Sequence, residues 1–169
     1  MKKLTLLMLL ASSTILVGAQ ERPTHEIHAA MLYDFIGNVE WPNEGDPGTF
    51  LVGIFGDDNV YTTMKQWYDG KSKGSKKYVF KKLAHADEAS ECQVVYVGRS
   101  RNGDFDNLRS GLSGKSVLIV TDGIGMGEKG SCINFRVIEG KLKFEINEAA
   151  VGAARLKVST QLSSMAILI

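Results

Sequence analysis

Cysteine, histidine and proline are scarce in this chain of 169 residues, which has two cysteines, three histidines and three prolines. Two cysteines are too few for a disulfide framework or for a cysteine-ligated zinc module. His25 and His28 are three residues apart, but no third ligand is evident, so we predict no metal site. Stability must therefore come from the burial of apolar side chains.

The chain also lacks an excess of charge and, beyond its first twenty residues, any long apolar run. Its formal net charge is +1, which gives no reason to expect nucleic acid as a partner. No later apolar run approaches the roughly 20 residues that a membrane helix needs. The sequence has no G-x-S-x-G motif, no P-loop and no paired carboxylates, so we expect neither an enzyme nor a bound cofactor.

The first nineteen residues have the pattern of a signal peptide. Lys2 and Lys3 precede the apolar stretch 4–17, and small residues follow where signal peptidase cuts. We predict cleavage after Ala19, with an uncleaved N-terminal anchor as the alternative. Residues 20–169 then form one exported domain, because about 150 residues suffice for one hydrophobic core and not for two.

Patterns typical of helices and strands alternate along the middle of the chain. Apolar residues recur at helical spacing from Thr24 to Val39, and Trp41-Pro42 ends the run. Short buried strands are predicted at "FLVGIFG", "KKYVFKKL", "CQVVYVG" and "SVLIVTD". This alternation predicts an α/β fold, with a mainly parallel open sheet flanked by helices, that ends in an antiparallel β-hairpin and a C-terminal helix.

The segment "DGIGMGEKGSCINF" contains Gly125, Gly127 and Gly130 at the G-x-G-x-x-G spacing of dinucleotide-binding loops. Such a loop must run from a strand into a helix, because the helix N-terminus holds the pyrophosphate. Here a second strand follows, and the motif lies in the last third of the domain. We therefore interpret it as a flexible connector whose glycines permit positive backbone dihedrals.

Two strands, "SCINFRVI" and "KLKFEIN", flank a two-residue turn at positions 139–140. Pairing them across this turn places Phe135 opposite Phe144 on one face and Asn134 opposite Glu145 on the other. A slip of one residue would destroy this segregation, so the register is well specified. Glu-Gly is not the best turn pair, which leaves the turn type open.

After the hairpin, the sequence predicts helical structure with an apolar ending. Asn147 is suited to the N-cap of the next helix. The segment forms either one helix or two, the second capped by Ser159. The final residues, 165–169, are apolar, so they must dock on the body of the protein or meet another subunit.

Several segments, in order, carry a resemblance to a known family: "FIGNVEWP", "FLVGIFG", "CQVVYVG", the glycine-rich loop before "INF", "GKLKFEIN" and "ARLKVSTQLSSMA". Together they resemble the YfiR family of exported regulatory proteins over essentially the whole mature chain. The resemblance implies a periplasmic α/β domain that is often dimeric and has no known catalytic residues. The best-studied member of the family binds the periplasmic part of an inner-membrane diguanylate cyclase and holds it inactive.

The family's type protein has two disulfides. This chain resembles it in retaining one cysteine of each pair, Cys92 and Cys132. These two cysteines lie at opposite ends of neighbouring predicted strands. A six-residue strand is nearly 20 Å long, roughly three times the usual Cα separation across a disulfide. We therefore predict two unpaired, largely buried thiols.

Two functional hypotheses follow. The first is a non-enzymatic regulator that binds the periplasmic part of an inner-membrane signalling protein, either a diguanylate cyclase or a sensor kinase, and modulates its output. The alternative is a periplasmic small-molecule carrier or sensor, with its ligand at the carboxyl ends of the parallel strands. The residues predicted near those ends are Gly56, Asp57, Gly98, Asp122 and Gly123.

Four residues are candidates for partner binding. Trp41 and Tyr33 are aromatic side chains of the kind that anchor interfaces, although Trp41 is also suited to core packing. Arg136 and Glu145 lie diagonally across the predicted hairpin, where they form either part of a recognition surface or a solvated cross-strand pair.

Overall fold

The computed structural model describes residues 22–42 and 48–169, so the predicted signal peptide lies outside the described residues. The helices are α1 (Thr24–Gly37), α2 (Asp58–Tyr68), α3 (Phe105–Gly111), α4 (Glu148–Ala153) and α5 (Thr160–Met165). The strands are β1 (Val39–Glu40), β2 (Gly48–Phe55), β3 (Ser72–Lys73), β4 (Lys76–Leu83), β5 (Val94–Val97), β6 (Leu118–Asp122), β7 (Ile133–Ile138), β8 (Lys141–Ile146), β9 (Lys157–Val158) and β10 (Ile167–Leu168). Two short 3₁₀ helices, Ala86–Glu91 and Arg99–Asp104, complete the elements.

Within the described residues, the main sheet has eight strands in the order β10-β8-β7-β6-β5-β2-β4-β3. The central strands β4, β2, β5, β6 and β7 are parallel. Antiparallel partners flank them, with β3 beside β4 and β8 beside β7. The predicted α/β fold with a mainly parallel open sheet and a terminal hairpin is confirmed.

Helices α1 and α2 cover one face of the sheet. Phe35 of α1 packs against Phe135 and Phe144, and the His28 ring of the same helix is stacked 4.2 Å from the Phe135 ring. Side chains alternate between the faces of a strand, so Thr121, Asn134 and Glu145 point to the opposite face. The glycine-rich loop between β6 and β7 lies against that second face.

The hairpin has the register expected from the sequence, with Phe135 opposite Phe144 and Asn134 opposite Glu145. Glu139 and Gly140 at the turn have φ angles of 49° and 73°. Positive φ at both central residues is the mark of a type I′ turn, whose twist matches that of the flanking strands. The turn type that the sequence left open is therefore type I′.

The C-terminal segment contains two helices and ends as a strand. Asn147 accepts a hydrogen bond from the Ala150 amide at the start of α4, and Ser159 accepts one from the Leu162 amide at the start of α5. Between the helices, β9 pairs with β1. The last strand, β10, lies parallel to β8 at the edge of the sheet, so the apolar end of the chain docks on the body of the protein.

Across the described parts of the chain, no helix combines the length and the apolar character that crossing a bilayer requires.

Candidate functional site

The glycine-rich loop connects two strands and is held at its centre. Gly125 and Gly130 have φ angles of +72° and +106°, which glycine adopts without strain. A Cβ atom added to Gly127 would lie 2.8 Å from Oε2 of Glu145 and 2.7 Å from Cδ1 of Ile169. Asn147 Nδ2 also donates a hydrogen bond of 2.9 Å to the Gly127 carbonyl. The loop is thus anchored on the sheet by its middle glycine.

A chain of polar side chains is buried beneath this loop. Thr121 Oγ1 donates to Asn134 Oδ1 at 2.8 Å, and Asn134 Nδ2 donates to Glu145 Oε2 at 2.9 Å. The Arg136 guanidinium donates to the other carboxylate oxygen of Glu145. This hydrogen bond raises the pKa of Arg136. Hydrogen bonds thus connect these four side chains in series, which holds the base of the hairpin in one arrangement.

The cross-strand pair of Arg136 and Glu145 forms, but it is not fully solvated. Glu145 has only 1% of its surface exposed, whereas the Arg136 side chain is 47% exposed. The hairpin register predicted from the sequence places Glu145 on the polar face of the hairpin, which by itself implies an exposed side chain. No local pattern indicates that Gly127 and Ile169 cover that position.

The tip of the hairpin, residues 136–143, extends beyond the neighbouring strands. Strand β6 pairs with β7 only as far as Phe135, and β10 reaches only Glu145 and Ile146 of β8. Val137 is 62% exposed on this tip. Three basic residues accompany the acidic Glu139 there: Arg136, Lys141 and Lys143. The tip is thus a projecting, cationic element with an exposed apolar side chain.

Further exposed apolar side chains occur in the glycine-rich loop and at the C-terminus. Ile124 is 99% exposed in the loop. The others are Met165, Ile167, Leu168 and Ile169. We refer to the hairpin tip (136–143), Ile124 and the terminal segment (165–169) together as the hairpin surface.

Trp41 and Tyr33 lie away from the hairpin surface. Trp41 is 8% exposed; its indole Nε1 donates to the Gln93 carbonyl at 3.2 Å and its ring meets Phe50 edge-on. Tyr33 is half-buried, with its ring stacked 4.0 Å from that of Tyr68. These contacts place both side chains near β2 and α2. The structure does not bring the four candidate partner residues together.

The 3₁₀ helix that follows β5 packs against the carboxyl ends of the parallel strands. Arg99 forms an ion pair of 2.9 Å with Asp122, and Ser100 Oγ donates to the Gly56 carbonyl at 2.7 Å. A Cβ atom on Gly123 would lie 2.2 Å from Asn102 Nδ2. Arg99, Ser100 and Asn102 therefore lie at the place proposed from the sequence for a ligand.

Both cysteines are buried and neither forms a disulfide. Burial raises the pKa of Cys92 and of Cys132 to about 11. Both thiols are therefore protonated near neutral pH, and a protonated thiol is a poor nucleophile and metal ligand. Within the described residues, no group of three or more histidine, cysteine or acidic side chains is placed to hold a metal ion.

Comparison with known proteins gives one match at the level of the family. A family model described as YfiR/HmsC-like matches residues 25–167. No curated protein matches the chain.

Solved structures resemble the fold at low sequence identity. The ABC domain in complex with L-Trp from Streptococcus pneumonia has a TM-score of 0.56 and 11% identity, with 86% of this chain and 60% of that chain covered. A conserved domain protein from Vibrio cholerae has a TM-score of 0.51 and 12% identity, with the same coverage. The chain thus spans 60% of the length of each, and at such identity the likeness shows the fold alone.

Proposed function

Because the chain belongs to the YfiR/HmsC-like family, we propose that it is a non-enzymatic exported regulator that binds the periplasmic part of an inner-membrane signalling protein. The family is one of periplasmic regulators. The partner that we propose is a diguanylate cyclase or a sensor kinase, whose output the protein modulates. Export would follow cleavage after Ala19.

The hairpin surface is the observation that supports this function best. Its projecting tip carries basic side chains and the exposed Val137, and Ile124 lies fully exposed in the loop beside it. Exposed apolar residues with a charged border are typical of protein-binding sites. The cationic tip favours an acidic face on the receptor.

The buried chain of polar groups beneath the surface favours binding without rearrangement. Glu145 holds Asn134 and Arg136 at the base of the hairpin. A surface that is already ordered loses little conformational entropy on binding, which raises its affinity.

Regulation would occur by a shift in the receptor's conformational equilibrium. If the protein binds the inactive conformation more tightly than the active one, its binding lowers output and its release restores output. A hundredfold preference corresponds to about 2.7 kcal/mol of coupling, within the usual range for allosteric pairs.

Site-specific photocrosslinking in cells tests the proposal. A photoreactive phenylalanine analogue replaces Val137 or Ile124, with Val79 as the matched control because it is an exposed valine on β4, far from the hairpin. We expect an inner-membrane protein to be captured from positions 137 and 124 and not from 79. Capture from none of these positions, or only of a second copy of this chain, would contradict the proposal.

Second-messenger measurements identify the kind of receptor. Deletion of the gene changes cyclic-di-GMP levels if the partner is a cyclase. If the partner is a kinase, those levels stay constant while phosphorylation of the captured protein changes. No change in either, with no captured membrane protein, would count against both versions.

A further inference from the structure

A groove of about 690 Å³ lies on the second face of the sheet, at the amino ends of β6 and β7. Its walls come from α3, the segment before β6, the glycine-rich loop and α4. Its apolar floor is formed by Leu112, Val117, Ile119 and Cys132. The volume falls within the range of roughly 300–1,000 Å³ that is typical of small-molecule sites.

Basic side chains predominate among the charged groups that line the groove. Arg109, Lys115 and Lys129 line it, together with a single acidic residue, Glu128. All three basic side chains are exposed, and none forms an ion pair with another described residue. The rim therefore presents unneutralised positive charge beside an apolar floor.

We propose that this groove binds an amphipathic small molecule that has an apolar body and one anionic head group, such as a carboxylate. The apolar body would lie against the alanine side chains that line the groove and the small exposed parts of its floor, where contact with water is unfavourable. The head would lie among the basic side chains at the rim. A compact polyanion would leave the apolar lining of the groove without a partner, and a cation would be repelled by the positive rim.

Small residues of α4 and of the position that follows it give the groove its depth. Ala149, Ala150, Ala153 and Ala154 all line it. A large side chain at one of these positions would occupy the space that the ligand's apolar body needs. Ala153 is exposed, so its replacement by tryptophan alters the groove with little disturbance of the core.

The glycine-rich loop contributes residues both to the groove and to the hairpin surface. Lys129 and Gly130 of the glycine-rich loop line the groove, and Ile124 of the same loop belongs to the hairpin surface. Occupation of the groove would therefore alter the loop that faces the proposed receptor. This regulatory role rests on the proposed function, whereas ligand binding itself can be measured on the isolated protein.

Calorimetric titration of the mature protein with decanoate tests ligand binding. Decyltrimethylammonium and decanol have the same chain length with a positive and a neutral head group. We expect saturable binding of one decanoate per protein, with markedly weaker binding of decanol and no binding of decyltrimethylammonium.

Two variants locate the decanoate. The double substitution Lys115→Gln/Lys129→Gln should weaken binding roughly two- to thirtyfold, the range expected for the loss of two exposed charge interactions. Lys65→Gln/Lys77→Gln removes the same charge outside the groove and outside the hairpin surface, and should leave binding unchanged. Ala153→Trp should abolish binding, while its circular dichroism spectrum and thermal midpoint show that the variant is folded.

Three results would overturn the proposal. They are the absence of saturable decanoate binding, equal binding of decanoate and decyltrimethylammonium, and unchanged binding in both groove variants. Crosslinking of an acidic receptor segment to the groove, with no decanoate binding, would identify it as a protein interface instead. Binding of decanoate without capture of a membrane protein would contradict the proposed function alone.

Discussion

At the residue scale, Glu139 occupies a backbone conformation that glutamate disfavours. Its φ angle of 49° lies in the left-handed region, where residues other than glycine, asparagine and aspartate are strained. Glu139→Asn should raise the free energy of unfolding by about 0.5–1 kcal/mol, because asparagine suits type I′ turns. Urea denaturation measures the change. The same substitution at Glu40, whose φ is not positive, is the control and should give no stabilisation.

His28 links protein stability to pH. It is 3% exposed, and its Nδ1 lies 3.0 Å from the Tyr96 hydroxyl in a hydrogen bond. Burial lowers the pKa of His28 below the ordinary value of 6.5, against the opposing effect of Asp122 and Asp57. The unfolded chain therefore binds this proton more readily than the folded protein. The contribution of neutral His28 to stability is complete above pH 6.5 and is lost as the pH falls below that value.

Substitution of His28 tests this linkage. We expect His28→Gln to lose less stability than the wild type between pH 7.5 and pH 5.5 (roughly one unit on either side of a free histidine's pKa) in urea denaturation. His85→Gln, at an exposed position, should retain the wild-type difference. An equal pH dependence in wild type and His28→Gln would refute the assignment.

At the element scale, the glycine-rich loop depends on the absence of a side chain at position 127. A Cβ atom there would lie 2.8 Å from Oε2 of Glu145, which cannot retreat easily because Asn134 and Arg136 hold its carboxylate. Gly127→Ala should destabilise the protein by about 1–3 kcal/mol, the usual cost of overpacking. Gly111→Ala is the matched control, because nothing lies within 4 Å of the new methyl group. Equal thermal midpoints of the two variants would contradict the close contact.

The hairpin could be predicted from the sequence, but the packing over it could not. Alternating apolar residues on both sides of a two-residue turn specify the register locally. The burial of Glu145 depends instead on Ile169 and Gly127, which are distant in sequence from each other. The final residues 165–169 have no alternation that distinguishes a strand from the end of a helix, so β10 had no local signal.

At the scale of the whole molecule, the order of the strands decides which predicted residues meet. Local patterns predicted the α/β class, but they do not state that β2 lies between β5 and β4. That order places Tyr33 beside Tyr78 of β4, several strands away from Arg136 on β7. Local patterns did not indicate the groove either, because three separate segments of the chain, 109–119, 128–132 and 147–154, supply its lining.

The packing of α1 also has a consequence for how the chain folds as it is made. Phe135 and Phe144 cover Phe35, and Ser159 Oγ donates a hydrogen bond to Asn38 Oδ1, 121 residues away in the sequence. A chain that emerges amino end first thus presents an uncovered aromatic helix until its last third has followed. Such non-local contacts slow folding and leave apolar surface open to aggregation.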